Sequence, residues 1–132
     1  MPLPPLVLVV DDDPDVLEAV GDALELAGYR VALAPHGVEA LARVASARPD
    51  VVLLDLVMPV MDGAAFSEEL RRRGEGDIPI VVLSAEGDPQ RAASIGAQAF
   101  LAKPFERRAL LVQVASMTSP PPGGQSRPSG SR

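Results

Sequence analysis

Four aliphatic runs in this chain lead into a side chain that can do chemistry. Leu6-Val7-Leu8-Val9-Val10 leads into Asp11-Asp12-Asp13, and Val51-Val52-Leu53-Leu54 into Asp55. Ile80-Val81-Val82-Leu83 leads into Ser84, and Ala99-Phe100-Leu101-Ala102 into Lys103. Carboxylates gathered in one place repel one another and raise their own pKa values, and a hard divalent cation relieves that repulsion. Oxygen ligands without His or Cys select Mg²⁺, with Mn²⁺ as the alternative, over zinc or copper. An ammonium and a hydroxyl facing a metal-bound carboxylate make a cradle for a phosphoryl group. Asp55 can then act as the nucleophile and form an acyl phosphate.

Each residue also has an ordinary role. Asp13 before Pro14 suits a helix cap, Ser84 a strand end, Lys103 a solvated surface, Phe100 a core and His36 a turn. The chemistry requires that they meet, so the runs must be neighbouring strands of one sheet.

The spacing of apolar residues supplies that sheet. Short unbroken apolar runs bounded by turn residues suit strands covered on both faces. Between the first two strands, Val16, Val20, Ala23, Leu24 and Ala27 recur at helical spacing, opened by Asp13-Pro14 and stopped by Gly28. A strand from Tyr29 to Ala34 follows, ended by Pro35-His36-Gly37. A helix is then expected over 38–47, with Val38, Leu41 and Val44/Ala45 inward. The strand ending at Asp55 meets Pro59 and the Met61-Asp62-Gly63 turn. A helix over 64–73 comes next, burying Ala65, Phe66 and Glu69/Leu70. Strand 78–84 has Pro79 near its start, where a missing N–H matters least. Asp88-Pro89 opens a short helix closed by Gly96, strand 99–102 follows, and a final helix reaches about Met117 with Leu110, Leu111 and Val114 inward.

Five strands alternating with helices imply βαβ units, right-handed crossovers and a three-layer α/β fold with a parallel sheet. Such a sheet puts all its strand carboxyl ends on one edge, where open α/β folds bind their ligands.

The totals agree. At 132 residues the chain is expected to form one domain over 1–117, followed by a disordered Pro/Gly/Ser-rich tail over 118–132. Aromatics are 3% against 47% hydrophobic residues, so Val, Leu and Ala must build the core. The net charge of −6 speaks against direct DNA binding, and no Lys/Arg cluster beyond the Arg71-Arg72-Arg73 run argues otherwise. No cysteine is present, which excludes disulfides, thiolate metal sites and a Cys nucleophile. No apolar run approaches the roughly 18 residues of a membrane span. The N-terminus has no basic signal-peptide region, and the expected location is the cytoplasm.

Val9-Val10-Asp11-Asp12-Asp13, Leu53-Leu54-Asp55-Leu56-Val57-Met58-Pro59 with Met61-Asp62-Gly63, Leu83-Ser84-Ala85 and Lys103-Pro104-Phe105 resemble the receiver domain of two-component response regulators. The resemblance covers residues 4–117 and is specific, because four motifs fall in order at near-family spacing. It implies a flavodoxin-like (βα)5 sheet of order 2-1-3-4-5, as either a stand-alone, single-domain, chemotaxis-regulator-like form or a fragment of a longer regulator. Asp55 matches the phospho-acceptor, Asp12 the direct metal ligand, and Asp11 the carboxylate acting through metal-bound water. Val57 matches the position whose backbone carbonyl completes the metal shell. Ser84 matches the hydroxyl that follows the phosphoryl group, Lys103 the lysine that pairs with it, and Phe100 the switching aromatic. The implied donor is a sensor histidine kinase or His-phosphotransfer protein. The implied output is a protein partner on the face of helix 4, strand 5 and helix 5, a face that also suits a weak homodimer. The domain would catalyse its own phosphorylation and dephosphorylation and would not turn over an outside substrate.

Two departures stand out. The segment from Ser84 to Lys103 is shorter than the family pattern by about three residues, close to one helical turn, so the fourth helix should be stunted. The switch aromatic is Phe, so an outward state gains no hydroxyl bond.

The competing class is a receiver fold used for docking without phosphorylation. The acidic pair, Asp55, Ser84 and Lys103 argue against it, because docking needs none of them. A small hydrolase or nucleotide-binding protein lacks its signature here: there is no G-x-x-x-x-G-K-[ST], no G-x-G-x-x-G and no Ser-His pair.

Overall fold

The computed structural model describes residues 3–56, 61–84 and 89–118. Its elements are β1 (Leu6–Val10), α1 (Pro14–Leu26), β2 (Arg30–Ala34), α2 (Gly37–Ser46), β3 (Val51–Asp55), α3 (Gly63–Arg72), β4 (Ile80–Ser84), α4 (Pro89–Ser94), β5 (Ala99–Ala102) and α5 (Arg107–Met117). All strand pairs are parallel, in the order β2-β1-β3-β4-β5. The expected three-layer fold and strand order are both present.

The unbroken apolar runs have a clear cause. Successive strand side chains point to opposite faces, and here both faces are covered. Val7, Val9, Val51, Leu53, Val81 and Leu83 pack on one face with Val20 and Leu24 of α1 and Leu110 and Val114 of α5. Leu8, Val10, Val52, Leu54 and Val82 pack on the other with Ala40, Leu41 and Val44 of α2, Phe66 and Leu70 of α3, and Ile95. The three central strands are buried at every residue, whereas edge strands β2 and β5 are mostly half-buried.

Helix ends follow their sequence signals. Asp13 caps α1, its carboxylate accepting the Asp15 N–H at 2.9 Å, with Pro14 in the first helical position. Gly28 ends α1 at φ +99°, a conformation glycine adopts at little cost. Asp62 caps α3 by accepting the Ala65 N–H at 2.9 Å. His36, read from the sequence as a turn residue, caps α2: its Nδ1 accepts the Glu39 N–H at 3.2 Å.

Two buried faces differ from expectation. In α2 the arc facing the sheet is Gly37, Ala40, Leu41 and Val44, which leaves Val38 51% exposed and Ala45 exposed. In α3 the arc is Gly63, Phe66, Ser67 and Leu70, so Ala65 faces solvent and Ser67 is buried in its stead. Ser67 is satisfied there because its hydroxyl donates to the Ile95 carbonyl at 3.1 Å.

The fourth helix is short, six residues against ten to thirteen in the others. Asp88, its expected cap, lies outside the described residues, and Gly96 follows its end at φ +80°. The Lys103–Pro104 peptide is cis. Thr118 caps the end of α5, its hydroxyl donating to the Val114 carbonyl at 2.9 Å, and residues 119–132 of the expected tail lie outside the described residues.

Phe66 heads the largest fully buried side chains. Phe66→Ala is expected to destabilise the domain by about 3–5 kcal/mol, read as a lower urea midpoint at unchanged m-value.

Candidate functional site

The parallel register sets the site's framework. Val10 pairs with Leu54, so Asp11 and Asp55, the next residues, leave the sheet side by side. Asp55 ends β3 opposite Leu83, and Ser84 ends β4 opposite Ala102, one residue before Lys103. The Lys103 N–H donates to the Ser84 carbonyl at 2.9 Å. Four strand ends are thereby aligned on the carboxyl edge, as the alternation predicts.

Asp11 is fully buried and Asp55 nearly so, while Asp12 is exposed. Carboxylate oxygens of Asp11, Asp12 and Asp55 all lie within 4.8 Å of one another. Both oxygens of Asp11 are engaged: Oδ1 accepts the Asp13 N–H at 2.9 Å, and Oδ2 meets Lys103 Nζ at 2.6 Å. The same ammonium stands 3.8 Å from Asp55 Oδ2. Lys103 therefore reaches from β5 across the sheet to the acids of β1 and β3.

Burial, the largest single influence on Lys103, pushes its pKa down. The hydrogen bond to Asp11 and the charges of Asp11, Asp55 and Asp13 outweigh it and hold the ammonium above the ordinary lysine value. The sequence suggested a solvated lysine as its ordinary role. The structure instead places it with its side chain only 19% exposed, against two carboxylates.

The donor set suits a hard divalent cation: three carboxylates, two of them buried, at the mouth of the sheet. Val57, expected to add a backbone carbonyl, lies outside the described residues. Ser84 is 2% exposed at its strand end. Phe100 is half-buried on β5 and packs against the core on the α2–α4 face.

Sequence reasoning passed over two glycines beside the site. The Gly63 N–H donates to the Leu56 carbonyl at 3.0 Å, and a Cβ there would stand 3.1 Å from the Asp55 carbonyl oxygen. Gly37 lies equally close under Met61. The Met61-Asp62-Gly63 turn and the Pro35-His36-Gly37 turn carried the signal, but only as chain breaks.

Comparison with known proteins places this arrangement. Response regulator MprA of Mycobacterium sp. (strain KMS) is 42% identical over 130 residues, which is 94% of this chain and 56% of that protein. The chain spans about half the length of the curated relatives it matches. Chemotaxis protein CheY4 of Vibrio cholerae superposes with a TM-score of 0.82 at 35% identity, covering 87% of this chain and 99% of that one. The receiver domain of sensor histidine kinase PA1611 from Pseudomonas aeruginosa PAO1 superposes with a TM-score of 0.79 at 31% identity, covering 86% and 97%, and carries a magnesium ion coordinated in its active-site cleft. Residues 7–115 match the family model of the response regulator receiver domain. The chain belongs to the receiver domains of two-component response regulators, the signalling switches of phosphorelays.

Proposed function

We propose that Asp55 is the phospho-acceptor of this switch. One observation carries the reading: three carboxylates converge within 4.8 Å, and Lys103 bridges Asp11 and Asp55. Oδ of Asp55 attacks the phosphorus of a phosphohistidine on a histidine kinase or phosphotransfer protein. A P–O bond forms as the P–N bond breaks, and the imidazole leaves with a proton.

Asp11, Asp12 and Asp55, with the Val57 carbonyl, would hold Mg²⁺. The cation supplies charge neutralisation for the transferring phosphoryl oxygens. Lys103 contributes a second positive charge already fixed in place, and Ser84 a hydroxyl at the adjoining strand end. An apolar recess of about 430 Å³ between Val16, Ala19 and Val20 of α1 and the Lys103–Phe105 turn has Lys103 in its lining, which supports a protein donor.

Ser84 and Phe100 then relay the new charge by moving with β4 and β5, biasing a two-state equilibrium. The output face is α4, β5 and α5, where the six-residue α4 gives a partner less helix to read. The same residues would hydrolyse the acyl phosphate slowly, and the cytoplasm is the fitting compartment.

Intact mass after incubation with Mg²⁺ and acetyl phosphate tests the acceptor. One phosphoryl group is expected on the wild type, none on Asp55→Asn and none after chelation. An unchanged wild-type mass would sink the reading.

Mg²⁺ should also raise the thermal midpoint of the unphosphorylated domain, worth about 2.7 kcal/mol at a hundred times the dissociation constant. Asp12→Ala is expected to lose that rise, as followed by calorimetry.

Because the folded pKa of Lys103 is raised, its stabilising contribution is complete below the ordinary lysine value of 10.5 and is lost as pH climbs through the folded value. Urea titrations should show Lys103→Met less stable than wild type at pH 7 to 9, with the gap closing only in stronger alkali.

A further inference from the structure

The corner between β2 and α2 touches the acid-bearing end of β1 and, at Met61, the chain entering α3. At Ala34 it does so through the backbone, the Ala34 carbonyl accepting the Asp11 N–H at 3.1 Å. Three residues on, it does so through packing. A Cβ added at Gly37, the first residue of α2, would meet Met61 Cγ and Sδ at 2.8 Å and Met61 Cβ at 3.0 Å. Met61 is therefore seated directly on the Gly37 backbone.

Two residues beyond Met61, the chain makes a second contact of the same kind. A Cβ at Gly63 would stand 2.8 Å from Leu56 Cδ2, 2.9 Å from Leu56 Cα and 3.1 Å from the Asp55 carbonyl oxygen. The first turn of α3 thus rests on the backbone that carries Asp55, pinned by the Gly63 N–H to the Leu56 carbonyl at 3.0 Å. Neither Gly37 nor Gly63 has a positive φ. Space demands glycine at these two positions, not backbone conformation.

We propose that Met61, seated on Gly37, is a positioning residue for phosphoryl transfer at Asp55. Its side chain wedges the β2–α2 corner against the first turn of α3, and that turn fixes the Asp55–Leu56 backbone. The wedge sets where the Asp55 carboxylate stands relative to Asp11 and Asp12. The inference rests on the reading of Asp55 as phospho-acceptor.

The seat makes the test. In Gly37→Ala the new methyl group must push Met61 back by about 0.6 Å to reach ordinary contact. Displacements of this size at a reacting group slow transfer by roughly tenfold. In the double variant Gly37→Ala/Met61→Ala the two closest crowding atoms, Cγ and Sδ, are gone; the Cβ of residue 61, at 3.0 Å, has only a few tenths of an ångström to give, and the methyl on residue 37 fills part of the vacated seat.

The measurements are the second-order rate constant with acetyl phosphate at saturating Mg²⁺, and the backbone amide NMR signals of Asp55 and Leu56 in metal-free protein. The expected result is that Gly37→Ala and Met61→Ala each react several-fold to tenfold more slowly with those two signals shifted, and that the double variant recovers both. A merely structural contact would lower the unfolding midpoint and leave rate and signals in place, and that outcome overturns the proposal. So does a double variant as slow as Gly37→Ala. If Gly37→Ala does not fold, Met61→Ala alone decides: a wild-type rate with unmoved signals rejects the wedge. A wild type that takes up no phosphoryl group would remove the acceptor reading, while the amide signals would still judge the wedge.

Discussion

The structure depends on holding several carboxylates together at one edge of a sheet. A parallel sheet delivers every strand's carboxyl end to the same side, so acids placed after β1 and β3 must become neighbours. Asp11 and Asp55 are buried there, where an uncompensated charge is expensive. Lys103 answers both, 92 residues away in sequence from Asp11. Its position is secured in turn by the bond from its own N–H to the Ser84 carbonyl. The pair therefore forms only when β1, β3, β4 and β5 are all in place. A buried ion pair is weak evidence for stability as such, since desolvation offsets most of its attraction. Here it holds acids close enough to share a cation.

Full and partial burial fall on different parts of the sheet. β1, β3 and β4 are buried throughout and interlock two apolar layers, so the floor of the site is stiff. β5 is half-buried, and beside it Gln90, Ala93 and Ser94 of the six-residue α4 are exposed. Its end is tied to α3, where Ser67 and Arg71 both reach the Ile95 carbonyl, at 3.1 and 3.4 Å. Elements with few buried apolar contacts open at least cost, which makes this side the natural place for a conformational response.

Much of this was legible in the sequence because it depends on local pattern. Unbroken runs such as Val51–Leu54, short and bounded by turn residues, suit strands with both faces covered. Asp13-Pro14 and Gly28 bracket α1 by cap chemistry that acts within a few residues. Asp11, Asp55, Ser84 and Lys103 announced themselves by position, each at or just past the carboxyl end of a strand. What escaped were details decided by packing. Ala65 and Ser67 lie two residues apart on α3, and the facing Ile95 carbonyl gives the buried place to the hydroxyl. Val38 has the apolarity of a core residue but falls outside the arc that meets the sheet. His36 looked like a turn residue until its ring nitrogen met the Glu39 N–H.

The sequence by itself determined the fold class, the edge on which chemistry gathers and the residues that gather there, because hydrophobic period and chain breaks are local properties. Tertiary structure alone decided the strength and shape of that gathering. It set the 2.6 Å contact of Lys103 with Asp11, the burial that separates Asp11 from the exposed Asp12, and the fit of Met61 on Gly37. Those are distances between residues far apart in the chain, and close packing fixes them only once the whole sheet is assembled.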